Sequence, residues 1–198
     1  MRRLLATMLA LAWSTSAQAV LIPHLDADGT PLIYEGQVAE CPREAGEGRY
    51  VATHPNGQRR LQGRCVDGLA HGTWRAWHPN GQREWQATLD AGLYEGLFRS
   101  WYADGTLRAR GRYSGGLKRD RFRYWHGDGT LAARGRYQRG ERVGCWVYRH
   151  DNGQTSAKGA YVGGEKVARW FYWSVTGDRR RGVYGGSPTQ GRCWFPLL

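Results

Sequence analysis

A turn that returns every 24 residues constrains this chain more than any other feature of its sequence. His54-Pro55-Asn56-Gly57, His78-Pro79-Asn80-Gly81, Tyr102-Ala103-Asp104-Gly105, His126-Gly127-Asp128-Gly129 and His150-Asp151-Asn152-Gly153 share one register, with a degenerate copy at Ser174-Val175-Thr176-Gly177. A fixed period of this length marks a repeat architecture, in which a unit buries its apolar face only against its neighbours. Other columns keep the same step. One is aromatic: Tyr50, Trp74, Phe98, Phe122, Trp146, Trp170 and Trp194. A second run begins at Gly63, Ala87, Gly111, Gly135 and Gly159, and a second turn glycine falls at 68, 92, 116, 140 and 164. In the final unit, Gly182-Val183-Tyr184 arrives one residue early.

Within each run apolar residues alternate with polar or basic ones, the period of a half-buried strand. Asn-Gly and Asp-Gly tolerate positive φ at low cost and close tight hairpins. The fold class expected is therefore all-β: an elongated antiparallel meander of stacked hairpins, about seven of them, each advancing the sheet by about 9.6 Å.

The first residues do not fit the repeat. Arg2-Arg3, an apolar run from Leu4 to Trp13 and the small-residue site Ala17-Gln18-Ala19 have the order of a secretory signal peptide over residues 1–19, too short to span a bilayer. The expected organisation is that leader, an irregular cap with a degenerate first repeat over 20–47, and hairpin repeats over 48–198. The expected location is periplasmic or secreted, with no transmembrane segment. The formal charge of +12, or 12 − 2 = +10 without Arg2 and Arg3, favours anionic partners such as an acidic protein or envelope surface. Export argues against nucleic acid as the partner.

Units such as Gly72-Thr73-Trp74-Arg75-Ala76-Trp77-His78-Pro79-Asn80-Gly81-Gln82, followed by Gly111-Arg112-Tyr113-Ser114-Gly115-Gly116 in the second run, resemble the bacterial MORN-repeat variant, often labelled a toxin-antitoxin antitoxin repeat. The resemblance covers roughly 48–195. It implies hairpin repeats serving as binding scaffolds, membrane-associated modules or appendages to catalytic domains.

Motifs of enzymes are missing from the sequence: no Gly-x-Ser-x-Gly, His-Glu-x-x-His or phosphate loop occurs. A non-enzymatic chain without cofactor is expected. His54, His78, His126 and His150 occupy one repeat position, but stacked copies about 9.6 Å apart cannot share a zinc ion that needs nitrogens about 2.0 to 2.1 Å away. They are read as turn residues. Four cysteines suit an oxidising compartment. Cys41 and Cys65 are the favoured pair if the insertion near Cys41 relaxes the register. Cys145 and Cys193 would bond only if the sheet curls or the last hairpin folds back.

The candidate binding face follows from alternation. Arg75, Arg99 and Arg123 follow the aromatic column by one residue, and Arg64, Arg112 and Arg136 precede the second column by one, so all point away from the aromatics. Trp77, Trp101, Trp125 and Trp173 fall on the arginine side. A basic, aromatic-bearing face suits an acidic protein or anionic envelope surface, and a second copy of the chain is a further option. Sugar stacking on the aromatics, as in a cell-wall module, and immunity to an exported toxin are the alternatives.

Overall fold

The computed structural model describes Cys41, residues 47–185 and Cys193. Twelve strands follow one another: β1 (Gly48–Thr53), β2 (Arg59–Val66), β3 (Leu69–Trp77), β4 (Arg83–Asp90), β5 (Leu93–Trp101), β6 (Leu107–Ser114), β7 (Leu117–Trp125), β8 (Leu131–Gln138), β9 (Glu141–Arg149), β10 (Thr155–Val162), β11 (Glu165–Trp173) and β12 (Arg179–Tyr184). They pair antiparallel in sequence order as one open sheet, the expected meander, with six hairpins among the described residues. The expected leader, nearly all of the expected cap, and Trp194 lie outside them.

The two turn columns exchange the roles that their sequences suggest. At the Asn-Gly and Asp-Gly corners only the glycine takes positive φ, as at Gly57 (81°) and Gly81 (85°). The Gly57 amide donates to the His54 carbonyl and the His54 amide to the Gln58 carbonyl, which makes a three-residue loop ending in a left-handed glycine. Asn56 instead works through its side chain, accepting from the Gln58 amide at 3.1 Å and donating to the Pro79 carbonyl of the next corner at 2.7 Å. The tight two-residue hairpins lie at the other edge. There both residues of Asp67-Gly68, Ala91-Gly92, Gly115-Gly116, Arg139-Gly140 and Gly163-Gly164 have positive φ, and Val66 pairs directly with Leu69.

Five times the ladder is broken in the same way. Residues 72–74 of β3 oppose the single Gly63 of β2, and residues 96–98, 120–122, 144–146 and 168–170 oppose Ala87, Gly111, Gly135 and Gly159. Each detour opens on a left-handed residue: Gly72, Gly96, Asp120, Gly144 and Ala168. It ends on the aromatic column, whose ring lies against the opposing residue in the four units where that residue is glycine. A Cβ on Gly135 would sit 2.1 Å from the Trp146 ring, and one on Gly159 2.2 Å from that of Trp170. Bulges bend the strand that carries them. These folds let the rings cover one another, and Phe98, Phe122 and Trp170 are fully buried.

The rings interlock along the sheet. Tyr113 meets Phe122 at 5.6 Å and 81°, Tyr137 meets Trp146 at 5.1 Å and 90°, and Tyr161 meets Trp170 at 5.0 Å and 81°. Edge-to-face pairs add about 0.5–1.5 kcal/mol each beyond burial. The Trp146 and Trp170 indole N–H groups donate to the Arg136 and Ala160 carbonyls. Tyr124 and Tyr137 share a hydroxyl bond of 3.0 Å, whereas the Tyr94 hydroxyl is buried with no partner, and burial pushes its pKa up. Tyr94→Phe is therefore expected to be neutral or to stabilise by up to about 1 kcal/mol, while Tyr137→Phe costs about 1 kcal/mol. Urea melts of the two variants check the contrast; equal losses would contradict it.

Both disulfides form. Cys41–Cys65 has Cα atoms 6.1 Å apart, and the fully buried Cys65 fills the second-column place that Leu89 and then Tyr113, Tyr137 and Tyr161 take in later units. Cys145–Cys193 closes at 5.4 Å, the pairing that the sequence made conditional on a fold-back. The early arrival of Gly182 also has a cause. Each earlier even strand carries one extra residue just after the corner: Arg60, Glu84, Arg108, Ala132 and Ser156 have no partner in the ladder with the preceding strand. β12 lacks that bulge and pairs continuously from Arg179 to Tyr184.

Candidate functional site

On the face away from the rings, direct cross-strand partners form a row that runs Gln62, Arg75, Gln86, Arg99, Arg110, Arg123, Arg134, Val147, Lys158 and Phe171. Four consecutive members are arginines. A shorter row adds Arg112 opposite Arg119, and Arg121 opposite Arg136. Like charges placed directly opposite destabilise a sheet, so this arrangement works against the fold.

The arginines concentrate on β6, β7 and β8. Arg110, Arg112, Arg121, Arg123 and Arg136 line a shallow depression of about 480 Å³ with Leu97, Gly111 and Asp120. An adjoining depression adds Arg134 beside Cys145 and Val147. All six side chains are exposed. Among the described residues none of the six is in an ion pair; the nearby pair is Arg119 with Asp120 at 3.7 Å. Asp120 owes its place to the detour, where it takes a φ of 62° in a position that glycine fills in three other units.

The expected residues divide. Arg112, Arg123 and Arg136 meet in this field, with half-buried Arg99 at its border. Arg64 and Arg75 lie on the same face but toward β2 and β3. The sequence reading passed over Arg110, Arg121 and Arg134. Arg110 and Arg134 stand just before the small residues Gly111 and Gly135, and Arg121 just before Phe122, so alternation already assigned them to this face.

Trp77, Trp101, Trp125 and Trp173 do fall on the arginine side, but each is half-buried and not open. Arg59 and Arg83 lie over Trp77 at 5.1 and 5.6 Å, Arg83 also over Trp101 at 6.0 Å, and Lys158 over Trp173 at 5.3 Å. The Trp backbone serves the corners. His54 and His78 donate Nε2–H to the Trp77 and Trp101 carbonyls, Tyr102 donates to that of Trp125, and His150 to that of Trp173. A carbonyl only accepts, which fixes the donor nitrogen. Tyrosine performs the same task at 102, so the column is structural.

Asp104 and Asp128 accept from the Thr106 and Thr130 amides, and those bonds hold both carboxyls below the usual aspartate value. A depressed folded-state pKa contributes stability above the ordinary value, and that contribution is lost as pH falls through the folded one. Asn80 makes the same bond uncharged. Asp104→Asn/Asp128→Asn is thus expected to show a smaller drop in Tm between about pH 5 and about pH 2.5 than the parent; identical drops would remove these turns as the source.

The family model described as MORN repeat variant matches residues 94–114, the β5–β6 hairpin. Five of the six hairpins keep that unit's register and the last, β11–β12, differs by the one missing bulge residue, so the sheet is a stack of MORN-like hairpin repeats, an architecture that points to a binding or scaffold role. No curated protein matches the chain. Among solved structures, a protein of unknown function from Bacteroides fragilis NCTC 9343 matches at 10% identity, with 76% of this chain and 100% of that chain covered; its TM-score of 0.18 carries no structural argument. Among the described residues no helix is long and apolar enough to cross a membrane.

Proposed function

We propose that this is an exported, non-enzymatic binding or scaffold protein that holds an anionic partner, an acidic protein or a component of the cell envelope, on the arginine-bearing face. The observation that carries this reading is the group of six exposed, unpaired arginines on three adjacent strands. Such a group costs stability when empty and gains it when countercharged. Two disulfides and the leader-like start of the sequence support export to an oxidising compartment. Sugar stacking finds less support, because cationic side chains already cover three of the four tryptophans.

The test is capture from an envelope extract on the immobilised protein. An acidic partner should be retained at low salt and released at high ionic strength, where exposed charges are screened. Retention that ignores salt, or that survives replacement of the six arginines by glutamine, would defeat the reading.

A further inference from the structure

We propose that the arginine field of β6, β7 and β8 is a site for a short linear chain of phosphate groups. The proposal rests on the reading of this face as the binding surface and narrows its ligand.

The first argument is charge density. Six arginines, with Asp120 offset by its ion-pair partner Arg119 (6 + 1 − 1), leave a net +6 on three strands that together span about 10 Å. An acidic polypeptide laid across them as an extended strand turns one side chain to the sheet about every 6.8 Å. It would bring about two carboxylates to the field. In a linear phosphate chain each interior group carries one charge on two free oxygens and each end group up to two charges on three, and phosphates joined through a shared oxygen lie far closer than alternate side chains of a strand.

The second argument is donor geometry. The guanidinium fork pairs with two oxygens at once, and residues 110, 112, 121, 123 and 136 border one depression from three strands. Forks gathered round one depression from three strands suit a group whose oxygens point in several directions better than a planar carboxylate.

The third argument is the absence of an apolar anchor. Among the described residues Leu97 is the one large apolar side chain lining the depression that holds five of the six arginines, and Phe122 and Val147 line only the adjoining one. Protein interfaces are built around an apolar, charge-depleted centre, and here the centre holds the charge. A bilayer would likewise want protruding apolar side chains beside the cations.

Titration calorimetry on the purified, disulfide-bonded chain tests the proposal, with tripolyphosphate as probe and orthophosphate, polyglutamate and phosphatidylglycerol vesicles as comparisons. Tripolyphosphate should bind saturably, at least tenfold tighter than orthophosphate. Arg110→Gln/Arg112→Gln/Arg123→Gln should weaken it at least tenfold, and Asp120→Asn should tighten it. Arg49→Gln/Arg60→Gln/Arg180→Gln removes the same charge from β1, β2 and β12 and should leave the affinity within twofold. The field variant should melt no lower than the parent when unliganded, because opposed like charges have been removed; lost binding then reports the site and not misfolding.

Tighter binding of polyglutamate or vesicles than of tripolyphosphate would overturn the proposal, as would equal weakening by the two triple variants, which would reduce the effect to net charge. If tripolyphosphate fails while the field variant still loses its envelope partner, the oligophosphate assignment falls and the basic-face reading stands. If neither responds, both fall.

Discussion

Gly135→Ala is expected to destabilise the chain by about 3 to 5 kcal/mol, more than an overpacked methyl alone, because the displaced ring would also lose its edge-to-face neighbours. The new Cβ would stand 2.1 Å from two atoms of the Trp146 ring, a distance that no rotamer of the methyl can relieve. Trp146 would have to leave its contacts with Tyr137 and Tyr161 and its bond to the Arg136 carbonyl. The same position holds Ala87 opposite Phe98 in an earlier hairpin, so Ala87→Gly should cost no more than about 1 kcal/mol, the ordinary penalty of a strand glycine. Trp146→Phe in the Gly135→Ala background should recover part of the loss. Urea denaturation reads all three variants. A loss below about 1 kcal/mol for Gly135→Ala would mean that the ring does not lie where the ladder puts it.

Loss of the disulfides is the second large effect. Cys41–Cys65 closes a separation of 24 residues and Cys145–Cys193 one of 48; constraint of the unfolded chain makes them worth about 3.5 and about 4 kcal/mol. Neither sits at random. One fills the end of the ring stack beside β1, and the other fastens residue 193 to β9, three strands in from β12, so each adds a link beyond neighbour pairing to a sheet whose units otherwise hold only their neighbours. On reduction Tm should fall, and hydrogen exchange should rise first in β1–β2 and in β11–β12, with β5–β8 protected longest. Uniform acceleration along all twelve strands would show instead that the stack melts as one unit and that its ends are not the weak points.

The architecture was legible because it depends on spacing. Corners, ring column and strand alternation all repeat at 24 residues, and a period survives any error in a single position. The turn chemistry was not legible in the same way. Asn-Gly suggests a two-residue hairpin by composition alone, whereas the backbone reserves positive φ for the glycine and uses Asn56 as a side-chain brace to the next corner. The tight hairpins fell to Ala91-Gly92 and Arg139-Gly140, whose first residues give no local hint of a left-handed conformation. The detours were visible as the Gly-x-Trp and Gly-x-Phe spacing, but their three-against-one register depends on the opposing strand, which no single stretch contains. For the same reason alternation placed arginines on one face without showing that Arg110, Arg123 and Arg134 stand directly opposite one another. The tryptophans were assigned to the right side, yet their cover of Arg59, Arg83 and Lys158 comes from neighbouring strands and could not be counted beforehand.

The strict sequence order of the strands has a consequence for how such a chain can change. Because pairing among the described strands never skips a neighbour, a whole 24-residue module can be inserted or removed at a corner, and the two corners brought together meet through the same kind of bonds. The distance from either outermost described strand, β1 or β12, to the cationic segment is then set by a whole number of modules. The protein is graduated like a ruler, and its reach can be altered in fixed steps without redesigning the surface that does the holding.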